Sequence, residues 1–179
     1  AFRTKDGDIN IFRPIENAKR LNKSAERLLM APFPEERFIK AVQEVVKANE
    51  DWIPPYGRGT SLYIRPLLIG SGDKMGIEPA DEYLFTIFVM PVGSYFGGSL
   101  KPAHFIVSDF DRAAPKGTGA AKAAGNYGSS LMAASKAKEA GYSDAIYLDP
   151  SNHKKIEEIG SSNFFAVTDD NTFVTPDSP

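Results

Sequence analysis

The sequence contains no cysteine, only two histidines and no long run of uncharged apolar residues. Without cysteine the chain has no disulfide, no thiolate metal site and no cysteine nucleophile. His104 and His153 lie far apart and lack the spacing of paired metal ligands, so we expect no metal site. A transmembrane helix needs about 20 consecutive apolar residues, and the N-terminal residues show no signal-peptide pattern. We therefore expect a cytoplasmic protein that does not enter a membrane.

An excess of charge of one sign is also lacking. The 21 Lys and Arg residues are balanced by 23 Asp and Glu residues, which gives a net charge of −2. The densest basic cluster, residues 153–155, is followed closely by Glu157 and Glu158. A nucleic-acid binder would need a broader basic surface, so we expect no nucleic-acid partner. The 179 residues, 42% of them apolar, fit one or two globular domains.

The first part of the chain predicts an α+β domain. Residues 34–48 begin with acids and carry apolar residues three and four apart, which predicts a helix, and residues 24–30 predict a shorter one. Aromatic and β-branched residues are enriched in three segments that predict antiparallel strands, namely 62–65, 83–90 and 103–108. We expect helices on one face of an antiparallel sheet over residues 1–109.

The second part follows a segment without periodicity, residues 110–119, which predicts an interdomain loop. Residues 129–140 predict a helix that ends at Gly141. Short strands are predicted at 144–148, 163–167 and 172–174. We expect residues 120–179 to begin a second domain. Because the chain starts without methionine and stops on a turn signal, we also expect an internal piece of a longer protein.

Lys122 lies in the run GTGAAKAAGNYGSSL, among glycine, alanine and small hydroxyl residues. A P-loop needs glycine directly before its lysine, where this chain has Ala121, and a dinucleotide fingerprint needs glycine where Lys122 stands. Small neighbours let the backbone approach a ligand closely, and partial desolvation would favour the neutral, nucleophilic amine. The run therefore predicts either a nucleophilic lysine or a flexible loop whose lysine points into water.

Four other residues combine a functional side chain with an unusual context. Tyr127 lies between glycines, and Glu158 precedes a glycine and two small hydroxyl residues. Arg65 lies in an apolar strand directly before a proline, where a bound phosphate would satisfy its guanidinium. Tyr95 follows a Pro-Val-Gly turn. Each has a simpler explanation, because Arg65 can form a surface ion pair, Glu158 can be solvated, and both tyrosines can be core or rim aromatics.

The segments LYIRPLLIG, PVGSYFGG, KGTGAAKAAGNYGSSL and EEIGSSNFF occur in this order and together resemble the branched-chain amino acid aminotransferases of fold type IV. The resemblance covers the whole chain. It implies a two-domain α+β fold whose second domain begins a mixed α/β barrel-like structure. It also implies a homodimer that uses pyridoxal 5′-phosphate to move the amino group of L-leucine, L-isoleucine or L-valine to 2-oxoglutarate.

The same resemblance implies a role for each candidate residue. Lys122 would hold the cofactor as a Schiff base and later move a proton. Arg65 would bind the cofactor phosphate, Tyr127 would hydrogen-bond the phenolic oxygen of the ring, and Glu158 would bind the pyridine nitrogen. A carboxylate at that nitrogen keeps it protonated, so that the ring can accept electrons.

Two more residues are implied near the reaction centre, Ser161 beside the cofactor and Tyr95 in the substrate pocket. Two other enzymes of the same fold remain as alternatives, D-amino acid aminotransferase and aminodeoxychorismate lyase. An alternative of another class is a non-catalytic fragment that binds no cofactor.

Overall fold

The computed structural model describes residues 1–57, 59–94 and 101–177, which belong to two compact units, Ala1–Lys101 and Pro102–Pro179. Each unit has its own buried apolar cluster. Within the described residues, every helix is too short or too polar to cross a membrane.

The first unit contains two long helices, a 3₁₀ turn and two antiparallel strand pairs. Its elements are β1 (Phe2–Arg3), β2 (Ile9–Asn10), α1 (Pro14–Arg27), α2 (Glu35–Ala48), the 3₁₀ turn Glu50–Trp52, β3 (Ser61–Ser71) and β4 (Glu82–Val92). β1 pairs with β2, and β3 pairs with β4 over the full 11 residues of each strand.

Helix α2 forms where the sequence predicts it. Glu35 and Glu36 lie in its first turn, where a negative charge interacts favourably with the helix dipole. Phe38, Val42 and Val46 follow one another four residues apart and are all buried. Their common face therefore packs into the core of the first unit.

Helix α1 is longer than the predicted residues 24–30. It begins at Pro14, whose fixed φ suits the first helical position. Its buried residues, Ala18, Ser24 and Ala25, are small, so they give only a weak apolar pattern among many polar neighbours. Residues 14–23 of the helix were missed for this reason, and the predicted residues 28–30 lie beyond its end.

The β3–β4 hairpin packs one face against the helices. Leu62 is buried on this face, and the ring of Phe85 stacks on Phe33 with the ring centres 3.9 Å apart. Residues of both helices, of β3 and of the position that follows the 3₁₀ turn form the core, namely Ala18, Phe38, Val42, Val46, Ile53 and Leu62. The predicted packing of helices on one face of an antiparallel pair is confirmed, and the opposite face of the hairpin is exposed.

The second unit is built on a mixed sheet. Its elements are β5 (Phe105–Val107), α3 (Ala124–Glu139), β6 (Asp144–Leu148), β7 (Ile156–Ile159), β8 (Ala166–Val167) and β9 (Phe173–Val174). β5 runs parallel to β6, β7 runs antiparallel to β6, and β8 pairs with β9 as predicted for the last two strands. β7 was not predicted, because its short sequence IEEI carries two acids.

The strand predicted at residues 103–108 does not join the sheet of the first unit. It forms the shorter β5, and its partner is β6 of the second unit. The apolar pattern identifies a strand but does not identify its neighbour. The segment predicted as an interdomain loop, residues 110–119, also contributes to the second unit, because Arg112 is only 9% exposed there.

Helix α3 begins at Ala124, five residues earlier than predicted. Gly125 and Gly128 lower the helix propensity of its first turns, which obscured the start. The predicted end at Gly141 is confirmed. Gly141 has φ of +83°, and the amide of Tyr142 donates to the Ala137 carbonyl at 2.9 Å, which is the Schellman arrangement that ends many helices.

Candidate active site

Lys122 and Tyr127 meet at the start of α3. Lys122 lies two residues before the helix, and Tyr127 lies in its first turns. The Lys122 Nζ donates a hydrogen bond to Tyr127 Oη and lies 4.8 Å from the centre of the tyrosine ring. Both residues are exposed. The desolvation expected around Lys122 is therefore not found in the described residues, and the amine is paired with a phenol instead.

Arg112 connects this helix to the sheet. Its Nη1 donates to the Asn126 carbonyl at 2.8 Å, and its guanidinium carbon lies 5.6 Å from the centre of the Tyr127 ring. Its Nε lies 3.2 Å from Glu158 Oε1, a charge contact that lacks the angles of a hydrogen bond. The guanidinium thus contacts both ends of the candidate site in this unit. Sequence analysis missed Arg112.

Glu158 lies in β7, opposite Tyr147 of β6. Sequence analysis placed it before a strand, whereas it is part of one. Burial raises the pKa of the Glu158 carboxyl, the charge of Arg112 lowers it, and the neighbouring Glu157 raises it. Burial also raises the pKa of the Tyr147 phenol, against the charge of Arg112. Arg112 is therefore the cationic group that opposes protonation of Glu158.

Asn126 shapes the loop before Lys122. It is 6% exposed, and its side-chain Nδ2 donates to the carbonyls of Thr118 and Ala121 at 2.7 and 2.8 Å. Its Oδ1 accepts a hydrogen bond from Thr118 Oγ1 at 2.8 Å. These bonds fix the residues directly before Lys122 and satisfy polar groups that would be costly to bury alone.

Ser161 contacts Asp144. Its Oγ donates to Asp144 Oδ2 at 2.8 Å, while Asp144 Oδ1 accepts from the Ala145 amide at 2.8 Å. A Cβ at Gly160 would lie 2.7 Å from Asp144 Oδ1, so any larger residue here would force the Asp144 carboxylate to shift. Ser161 is exposed, and its hydroxyl hydrogen is donated to the Asp144 carboxylate of the same unit.

Arg65 belongs to the first unit and lies on the exposed face of β3, opposite Phe88 of β4. Its guanidinium carbon lies 5.3 Å from the centre of the Tyr63 ring. In the part of the chain that the structure describes, Arg65 makes no ion pair with a carboxylate, so the surface ion pair considered above is not found. Tyr95 lies outside the described residues.

The second unit therefore pairs an amine with a phenol, and one guanidinium contacts both that phenol ring and a carboxylate. An amine can bond to an aldehyde carbon, a phenol can hydrogen-bond a phenolate oxygen, and a carboxylate can hold a protonated pyridine nitrogen. These are the three groups that surround the ring of pyridoxal phosphate. The side-chain chemistry of Lys122, Tyr127 and Glu158 fits that cofactor.

Known proteins resemble the chain over its whole length. The sequence profile of the amino-transferase class IV family matches residues 1–179. A branched-chain-amino-acid aminotransferase of Haemophilus influenzae is 54% identical over 183 residues, which cover 99% of this chain and 53% of that protein. One from Helicobacter pylori is 56% identical over 181 residues, which cover 100% of this chain and 53% of that protein. The chain spans about half the length of these curated relatives.

A comparison with solved structures identifies the same kind of enzyme as the sequence comparison. The branched-chain amino acid aminotransferase of Thermobaculum terrenum in its PLP-form overlays with a TM-score of 0.77 and 26% identity, over 98% of this chain and 55% of that one. The predicted α+β class and fold type IV are confirmed by this likeness, as is the resemblance found in the sequence motifs. The chain belongs to the class IV aminotransferase family.

Proposed function

We propose that this protein is a pyridoxal-phosphate-dependent branched-chain aminotransferase, which moves the amino group of L-leucine, L-isoleucine or L-valine to 2-oxoglutarate. The observation that carries the proposal is the contact between Lys122 Nζ and Tyr127 Oη, with Glu158 joined to the same cluster through Arg112. The identity of 54% and 56% to proteins named for this activity supports the substrate class.

Lys122 would hold the cofactor and then move a proton to and from the substrate Cα. When bound, pyridoxal phosphate supplies an electron sink for the electrons released at that carbon. Tyr127 would donate a hydrogen bond from its hydroxyl to the phenolic oxygen of the ring. Since Tyr127 is anchored in α3, its hydroxyl has a fixed position beside the lysine amine, which favours the reacting geometry.

Glu158 and Arg65 would bind the two ends of the cofactor ring. A Glu158 carboxylate accepts a hydrogen bond from a protonated pyridine nitrogen and stabilises its charge. Arg65 would bind the phosphate, because a planar guanidinium matches phosphate oxygens with two parallel hydrogen bonds. Its exposed guanidinium on β3 supports this role.

Ser161 and Tyr95 complete the proposed site. Ser161 would lie beside the cofactor while its hydroxyl stays bonded to Asp144, and Tyr95 would line the substrate pocket. We also propose that the chain contributes to two domains and that the protein is a cytoplasmic homodimer. The exposed apolar side chains Tyr63, Phe88 and Met90 on the uncovered face of the hairpin support further packing there.

The test is amino transfer from L-leucine to 2-oxoglutarate by the purified chain supplied with pyridoxal phosphate, with D-alanine as the competing donor. We expect L-leucine to react and D-alanine to be inactive. Preference for D-alanine would instead support the D-amino acid enzyme. Release of pyruvate from aminodeoxychorismate, without transfer from leucine, would support the lyase. A chain that takes up no pyridoxal phosphate, as judged by its visible absorption, would be a non-catalytic fragment.

A further inference from the structure

Arg112 touches both helix α3 and the sheet of the second unit. Its side chain is 10% exposed, and its contacts are the Asn126 carbonyl, the Tyr127 ring and the Glu158 carboxylate. A buried guanidinium is costly unless it is paired with an opposite charge or with acceptors, and Arg112 has the Glu158 carboxylate as its charge partner and the Asn126 carbonyl as its acceptor. Arg112 is therefore held in one place, and it holds its neighbours in turn.

We propose that Arg112 is a positioning residue for the aminotransferase reaction, which keeps the Glu158 carboxylate ionised and oriented and fixes the first turns of α3 that carry Tyr127. The inference rests on the proposed function and deepens it. Arg112 makes a charge contact with Glu158 through Nε and donates a hydrogen bond to the α3 backbone through Nη1, so one planar guanidinium touches both ends of the site. A lysine could supply the charge but not the fork.

The ionisation of Glu158 depends on the groups that face it. Burial and the charge of Glu157 raise the pKa of its carboxyl, and Arg112 lowers that pKa. From β6, Tyr147 stands opposite Glu158 and is itself buried. Loss of the Arg112 charge would leave burial and Glu157 unopposed. Glu158 would then bind a proton at higher pH and would no longer supply the negative charge that stabilises a protonated pyridine nitrogen.

The backbone contact has a separate consequence. The Asn126 carbonyl that accepts from Arg112 belongs to the same residue whose side chain binds the carbonyls of Thr118 and Ala121. Arg112 thereby reaches the loop that ends at Lys122. A change at Arg112 is expected to disturb the position of the lysine as well as the carboxylate.

The test measures Glu158 directly in the cofactor-free chain. Carbon NMR of the glutamate carboxyls, with the Glu158 signal assigned through Glu158→Gln, gives its titration midpoint in the parent, Arg112→Gln and Arg112→Lys. We expect the midpoint to rise in Arg112→Gln and to stay close to the parent in Arg112→Lys. The matched control is Arg3→Gln, which removes another Arg–Glu contact, to Glu50, and should leave the Glu158 midpoint unchanged. A midpoint that does not move in Arg112→Gln overturns the proposal.

Pyridoxal phosphate binding, followed by absorption, supplies the second readout. Loss of a charge-assisted contact predicts affinity lower by about tenfold or more in Arg112→Gln, with Arg112→Lys between that variant and the parent. Because Arg112 acts through Glu158, adding Arg112→Gln to Glu158→Gln should change the affinity less than it changes the parent. An equal loss in both backgrounds would show a merely structural role and overturn the proposal.

Two outcomes separate this inference from the proposed function. If the parent chain binds no pyridoxal phosphate, the proposed function fails, whereas the Glu158 titration still reports whether Arg112 keeps the carboxylate ionised. If Arg112→Gln does not fold, Arg112→Lys decides. If Arg112→Lys folds and binds pyridoxal phosphate as tightly as the parent, the planar guanidinium has no positioning role that an amine cannot fill, and the proposal is overturned.

Discussion

Lys122 Nζ donates a hydrogen bond to Tyr127 Oη across the start of α3, and the side chain of Asn126, which precedes Tyr127 in the sequence, binds back to the loop before Lys122. The helix fixes the tyrosine and the Asn126 bonds fix the residues before the lysine. The local backbone structure therefore brings the amine and the phenol together. This arrangement is why the contact supports the proposed function.

Lys122→Ala should abolish amino transfer. The variant removes both the amine that would hold the cofactor and the group that would move the proton, and proton transfer alone contributes at least about 100-fold. The measurement is the rate of glutamate formation from L-leucine and 2-oxoglutarate. The control is Lys138→Ala, an exposed lysine in the last turn of the same helix, which should keep the parent rate. An active Lys122→Ala chain would contradict the proposed role.

Tyr127→Phe should weaken cofactor binding while leaving the fold intact. The ring that lies beside Lys122 and Arg112 stays, and only the hydroxyl is lost. Removal of one hydrogen bond to a charged group predicts affinity for pyridoxal phosphate lower by about tenfold. Because Tyr127 is 46% exposed, the unfolding midpoint should change little. Parent-like affinity would show that the hydroxyl does not bind the cofactor.

The stability of the chain should depend on pH through Glu158. Burial raises the pKa of this carboxyl above its ordinary 4.5, with Arg112 opposing the shift. The folded chain thus binds the proton more tightly than the unfolded chain. The resulting contribution to the free energy of unfolding is complete below 4.5 and is lost as the pH rises through the folded pKa.

Urea unfolding of the parent and Glu158→Gln over a series of pH values checks this sign. The free energy of unfolding of the parent, minus that of the variant, should fall as the pH rises above 4.5 and then level off. Asp149 serves as a control in which the pKa shift, and therefore the pH dependence of stability, has the opposite sign. Backbone hydrogen bonds, first from Lys155, lower the pKa of its carboxyl below 3.8, so the corresponding difference for Asp149→Asn should fall as the pH is lowered past that value. If the difference in free energy of unfolding between the parent and Glu158→Gln does not change with pH, the raised pKa of Glu158 is contradicted.

Gly160→Ala should destabilise the chain. The new Cβ would lie 2.7 Å from Asp144 Oδ1 and 3.2 Å from Oδ2, so the carboxylate must shift and its bonds to Ser161 and the Ala145 amide are strained. Crowding of this kind costs about 1 to 3 kcal/mol in a packed region. The measurement is urea unfolding at neutral pH.

The matched control for that variant is Gly128→Ala. Gly128 lies inside α3 with open space at its Cβ position, so alanine should stabilise the helix by up to about 1 kcal/mol. Opposite signs for the two substitutions are the expected result. Two effects of the same sign would show that Asp144 does not constrain position 160.

Elements with a clear apolar pattern in their own sequence were predicted correctly. Features that depend on which other segment of the chain an element packs against were not. Helix α2 was found because its apolar residues are large and regularly spaced, whereas most of α1 was missed because its buried face is made of Ala18, Ser24 and Ala25. β7 was missed because its two acids conceal a strand. The pairing of β5 with β6 cannot be read from either strand alone.

The candidate site shows the same division. Lys122, Tyr127 and Glu158 were found because they lie in distinctive motifs, and the structure connects all three through one cluster. Arg112 was missed because it lies among Asp111, Ala113 and a nearby proline, a composition typical of a solvated loop. Its contact with Glu158 depends on how the loop packs against β7, and no local pattern reports that.

The most direct test of the central claim is to identify which lysine holds the cofactor. The chain is incubated with pyridoxal phosphate, reduced with borohydride so that the link to the lysine becomes permanent, digested and mapped by mass spectrometry. The account predicts the modification on Lys122, with none at that position after L-leucine has converted the cofactor to its amine form before reduction. Modification spread over other lysines, with Lys122 unmodified, would contradict the account.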